Sequence, residues 1–163
     1  MNRLVLAALI TLPTATLADD QLDRMEDVSE QANILMMTMM TAEVNMDPDT
    51  KAEIIATAQE SMQWDDPMRA AGECMLDSYR DEVGDDGVDE LLTNMEQMIV
   101  EMSAISSIDD MEEMPNVMPE GLTEEKSMEI TRACGMIDLQ VAKMSESGFM
   151  DAMMAAAMAA EGN

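Results

Sequence analysis

The chain has 163 residues and a formal net charge of −27, with 35 acidic side chains against eight basic ones and no histidine. This balance excludes nucleic acid as a partner, since such binding relies on Lys and Arg to neutralise phosphates, and it opposes anionic lipid surfaces. Hydrophobic residues still make up 47% of the chain, so the acidity keeps the protein dispersed without denying it a core.

Residues 1–18 read MNRLVLAALITLPTATLA. Arg3 supplies a positive start, Leu4 to Leu12 form an apolar run, and Thr16-Leu17-Ala18 offers small residues before a cleavage point. The run is too short to cross a bilayer, which takes about 20 apolar residues. The pattern predicts a Gram-negative-type export signal cut after Ala18, giving a periplasmic or secreted product with no stable membrane anchor. Residues 19–163 then form a single helical domain, and losing Arg3 takes the net charge from −27 to −28.

Past the signal, 22 of the chain's 23 methionines remain, and Trp64, Tyr79 and Phe149 are the only aromatic residues. Methionine is unbranched and flexible, so it fills irregular gaps but specifies packing poorly. A core built this way needs other constraints to hold one arrangement.

From Gln21 to about Met46, Leu22, Met25, Val28, Ala32, Leu35, Met36, Met39 and Met40 recur at three- and four-residue spacing, the period of an amphipathic helix. The run Met36-Met37-Thr38-Met39-Met40 spreads apolar groups around that helix, which predicts burial on more than one side. The same helix could alternatively stand off as a detached arm. Asp47-Pro48 is an N-cap followed by proline, opening a second helix to about Met62 with Ile54, Ile55, Ala58 and Met62 inward. Asp66-Pro67 repeats the device and opens a helix through Cys74 that ends near Gly84. After the turn Gly84-Asp85-Asp86-Gly87, a regular stripe runs through Val88, Leu91, Leu92, Met95, Met98, Ile99 and Met102.

Between residues 106 and 122 the period lapses. Pro115, Pro119, Gly121 and several acids mark a flexible, acidic, surface connection. Thr123 is an N-cap with Glu124 and Glu125 in the first turn, where the helix dipole favours anions. The helix it opens runs to Met144, with Ile130, Ala133, Cys134, Ile137, Val141 and Met144 as its stripe. Ser147-Gly148 ends it, and Phe149 to Ala160 forms a last apolar helix. Helical periodicity throughout predicts an all-α fold, a small bundle of about five to six helices.

Cys74 and Cys134 are the only cysteines. In an oxidising compartment two such residues pair, which predicts one structural disulfide between helices. Each falls within an apolar stripe, and Ala70 and Ala71 are small enough to let the partner helix approach to about 5.5 Å between Cα atoms. Redox-active pairs sit closer in sequence, as in C-x-x-C.

Chemistry is sparse. There is no histidine to serve a nucleophile, no glycine-rich phosphate loop, and no calcium loop, because Val83 and Asp86 occupy the third and sixth positions counted from Asp81. Asp77 and Asp138 lie one turn after the two cysteines, and solvated carboxylates are the expectation there, with Asp77 beside Arg80. Thioethers are soft ligands that select Cu(I). Met111, Met114 and Met118 form the one methionine set outside a helical stripe. The sequence therefore predicts a non-enzymatic exported protein, with no cofactor and no resident metal, that binds a protein or peptide through a methionine-lined face, the acidic exterior favouring a cationic partner. The alternative is Cu(I) binding or oxidant buffering by methionine.

Overall fold

A computed structural model describes residues 14–43, 47–105 and 116–149, with further helical positions scattered over 151–158. The fold is all-α: α1 (Thr14–Glu43), α2 (Pro48–Met62), α3 (Asp66–Ala104), α4 (Glu124–Ala133) and α5 (Met136–Glu146), with no strand among the described residues. The expected signal peptide falls largely on residues 1–13, outside the described residues, as do 44–46 and 106–115.

Helix starts follow the side-chain chemistry. Asp47 caps α2, its Oδ1 accepting from the N–H groups of Asp49 and Thr50 at 3.1 and 2.9 Å. The Thr50 hydroxyl and backbone N–H hold this carboxyl below the usual carboxylate range. Thr123 caps α4 through Oγ1, which accepts from Lys126 N–H at 3.1 Å. At α3 the cap is Asp65 rather than Asp66: its Oδ1 accepts from Met68 N–H at 3.1 Å, and Pro67 follows inside the first turn. In Asp65-Asp66-Pro67 either aspartate could serve, and only the first has the extended backbone that aims its carboxylate at the free N–H groups.

The long α3 is broken at Gly84, whose φ of 74° and ψ of 175° lie outside helical space in a region essentially reserved for glycine. The break lets the second arm return beside the first, so that Met75 and Tyr79 of one arm and Leu91, Met95 and Met98 of the other line a common cavity. The stop expected near Gly84 is therefore real, and it acts as a hinge between two helical arms.

Onto this hinged pair α1 is seated along its length, not detached. Its Leu22 and Met25 join the main core with Met68, Ala71, Met75, Leu76, Tyr79, Val88, Leu91 and Leu92. Val28 and Met39 pack with Ile99 and Met102 in a second cluster. Met37 faces the other way, into a third with Ile54, Ala58, Met62 and Phe149. Opposite-facing Met37 and Met39 realise the two-sided burial that the apolar run implies, whereas Met36 and Met40, expected in the inward stripe, are exposed. Among described buried apolar residues methionine is the commonest type, with eight, but five leucines, three isoleucines and two valines together outnumber it, so thioethers share the core with branched aliphatics.

Two further expectations fail. The single helix from Thr123 to Met144 is split in two, with Cys134 closing α4 and Gly135, at φ 78°, starting α5. The stripe therefore breaks register: Ile130 and Met136 are buried, whereas Ala133 and Val141 face solvent. The connection before α4 is also partly built in. Pro119 and Leu122 are buried, and Asn94 Nδ2 donates to Val117 O at 3.1 Å.

A methyl group at Gly84 would meet no atom within 4 Å, so Gly84→Ala isolates the backbone cost of the turn. Urea unfolding should show a loss of about 1–3 kcal/mol, and an unchanged midpoint would count against the hinge. Asp65 allows a test in acid. Its carboxyl lies below the usual range because Met68 N–H donates to it and the Lys143 ammonium stands beside it. A depressed carboxylate stabilises the fold above its unfolded value, and that contribution disappears as pH falls through the folded value. The Tm advantage of wild type over Asp65→Asn should therefore be present at pH 7 and close as pH drops below about 4; a gap that persists in strong acid would contradict the assignment.

Candidate functional site

The residues singled out from sequence fall into three groups. Cys74 and Cys134 are brought together, with sulfurs 2.00 Å apart and Cα atoms 5.7 Å apart. The pair does not sit inside two apolar stripes, however. Cys74 is exposed, and Cys134 is half-buried at the end of α4 against the main core. Ala71 is buried while Ala70 faces solvent. The cross-link thus fastens the first arm of α3 to the α4–α5 corner at the rim of the core.

The two carboxylates one turn beyond the cysteines remain apart in role. Asp77 is exposed and receives Arg80 Nη1 at 2.6 Å; Asp138 is exposed in the first turn of α5. No group of three or more carboxylates or cysteines that could hold a metal occurs among the described residues.

Of the loop methionines, Met111 and Met114 lie outside the described residues. Met118 is half-buried and packs on the main core. It lines a cavity of about 210 Å³ with Met25 from α1, Met75 from the first arm of α3, and Met95 and Met98 from the second. Ser29, Tyr79, Ser127 and Thr131 complete the polar part of its wall, and Tyr79 Oη lies 2.9 Å from Ser127 Oγ. Met25, Met95 and Met98 belong to readable stripes and Met118 to the loop set, but their convergence with Met75 crosses most of the chain, so no local pattern could reveal it.

A second concavity, of about 340 Å³, lies between α1 and the end of α3, lined by Gln31, Ile34, Leu35, Ile99, Val100 and Ser103. Val100 is 68% exposed there. Ile34 and Val100 both fall off the helical stripes, and an apolar residue left over once a stripe is assigned is the sequence signal that would have found this groove. It is lined by branched aliphatic residues, whereas a methionine face was expected. Exposed methionines are instead spread over separate elements: Met36 and Met40 on α1, Met128 on α4, and Met154 and Met158 beyond α5.

Around these features the few cations work as ties between elements. Arg24 of α1 reaches Glu96 through Nε at 2.7 Å and Nη2 at 3.2 Å, and Asp89 through Nη1 at 3.1 Å, all on the second arm of α3. Glu96 holds the guanidinium firmly protonated, above its ordinary value. Arg69 of the first arm pairs with Asp23 at 2.8 Å and with Glu26. Arg80 spans the hinge to Asp85 at 2.7 Å and donates to Gln21 at 2.9 Å. Gln21, wholly buried, passes its own N–H to Asp89 at 3.1 Å, which closes a chain of polar contacts from Arg80 to Arg24. Lys126 joins α4 to Glu82 at 3.1 Å, and Lys143 joins α5 to Asp65 at 3.1 Å.

No family model, no curated protein and no solved structure matches this chain.

The cross-link closes a loop spanning 60 positions, which in the chain-entropy account stabilises the fold by about 4 kcal/mol. The Cys74→Ser/Cys134→Ser variant should lose about that much in urea unfolding, and reductant should lower the wild-type midpoint without moving the variant's. Equal stability of the two proteins would remove the staple from the account.

Proposed function

We propose that this chain is an exported, non-enzymatic binding protein that holds a cationic, amphipathic protein or peptide segment in the groove between α1 and α3. The observation that carries this reading is an aliphatic depression formed by Ile34, Leu35, Ile99 and Val100 on a chain of net charge −27. Apolar residues from two neighbouring helices give a partner helix a trough for its own apolar stripe, the helix-in-groove mode of recognition. The net charge of −27 would raise the encounter rate with a positively charged partner and disfavour acidic ones.

The signal-like residues 1–18 and the cysteine pair support export to an oxidising compartment. Cleavage after Ala18 would keep Gln21, Leu22, Asp23 and Arg24, the residues through which the start of α1 docks. A second reading, thioether chemistry, is favoured by the five methionines around the inner cavity.

A lysine-rich amphipathic helical peptide tests the groove against a scrambled peptide of equal charge. Fluorescence anisotropy should show the amphipathic peptide binding more tightly than the scramble. Replacing Ile34 and Val100 by Ser should weaken it by roughly tenfold, about 1.4 kcal/mol, and leave the scramble unaffected. Equal binding of both peptides, or an unaltered affinity in the double variant, would reduce the interaction to bulk charge and overturn the proposal.

A further inference from the structure

The inner cavity has features that packing alone does not require. Val88 and Leu92 on the second arm of α3 are wholly buried, and both are branched aliphatics of the kind that specify a core. One and two turns on, the residues facing the void are Met95 and Met98. Met25, Met75 and Met118 reach the same void from α1, the first arm and the segment before α4. Five thioethers from four parts of the chain therefore meet around about 210 Å³, and no carboxylate, lysine or arginine lines it.

This donor set is selective. Carboxylate, carbonyl and water suit hard cations and imidazole suits zinc, whereas thioethers are soft ligands for Cu(I). The only other side-chain donors in the wall are neutral hydroxyls, which compensate a divalent charge poorly. A monovalent soft cation has the lowest desolvation cost of the metal ions available, and the surrounding negative charge raises its local concentration. The volume exceeds what a bare ion fills, but methionine's three rotatable bonds let several sulfurs swing inward. We propose that the cavity is a Cu(I) site in which Met25, Met75, Met95, Met98 and Met118 supply the ligands. Binding makes and breaks no bond in the protein and leaves the disulfide intact. The site is separate from the α1–α3 groove, so either assignment can fail alone.

The test is anaerobic titration of the protein, disulfide intact by thiol assay, with Cu(I) held by ascorbate and a coloured bicinchoninate competitor. The wild type should withdraw one Cu(I) per chain from the competitor. Met75→Leu/Met95→Leu/Met98→Leu should lose that uptake with its helical circular dichroism retained, because Met and Leu exchange with little change in volume. Met36→Leu/Met40→Leu, on the outer face of α1, should take up metal like the wild type. If the triple variant fails to fold, Met95→Leu alone should weaken uptake, and X-ray absorption of the loaded wild type should show a sulfur-only shell. No withdrawal by the wild type, equal withdrawal by wild type and triple variant, or a shell of oxygen or nitrogen would overturn the site.

Discussion

The backbone at Gly84 is the constraint on which the rest of the molecule depends. Without it, the 39 residues of α3 would form one rod about 58 Å long, with its apolar stripe facing no second arm. The single left-handed residue folds this rod back, and the two arms then present a common apolar surface. Helix α1 is laid on that surface, the inner cavity forms between the arms, and α4 closes over the first arm near Tyr79. Arg80 reinforces the bend by holding Asp77 before it and Asp85 after it.

A methionine-rich interior is tolerant, so something else must select one alignment of the helices. The polar contacts supply that selection. Among the described residues five basic side chains form ion pairs, and each of the five ties two segments together. Single exposed pairs contribute only about 0–1 kcal/mol, so their importance lies in position more than in strength. A slip of α1 along α3 would separate Arg24 from Asp89 and Glu96 and would leave buried Gln21 without the partners it has on both sides. The cross-link at the rim of the core fixes the α4–α5 corner in the same way, covalently.

Local chemistry was legible in the sequence where the deciding atoms are neighbours. Asp47-Pro48, Thr123 and Gly84 act within a few residues of themselves, and each does what its residue type implies. The helix order and the all-α class follow from periodicity for the same reason. Legibility fell where two local solutions were equally good or where the answer was long-range. Asp65 and Asp66 could both cap α3. The apolar period continues through Cys134-Gly135, which concealed the break that turns Val141 to solvent. Nothing in one helix tells Met25 that Met75, Met95 and Met118 will meet it, and the loop set Met111, Met114 and Met118 drew attention to only one of the residues that line the cavity. Ile34 and Val100 were visible as apolar residues off their stripes, but only the seating of α1 on α3 joins them into a groove.

Trp64 sits at the centre of these alignments. Its ring lies so close to Gly72 that an added methyl there would come within 2.4 Å of it, and Leu22 of α1 closes the same space at 3.0 Å. Its backbone N–H donates to Glu30 at 3.0 Å. Since the chain has one tryptophan, the protein carries a built-in fluorophore at the junction of its first three helices. A red shift of its emission would mark the moment α1 lifts away, even while the rest of the helices remain wound.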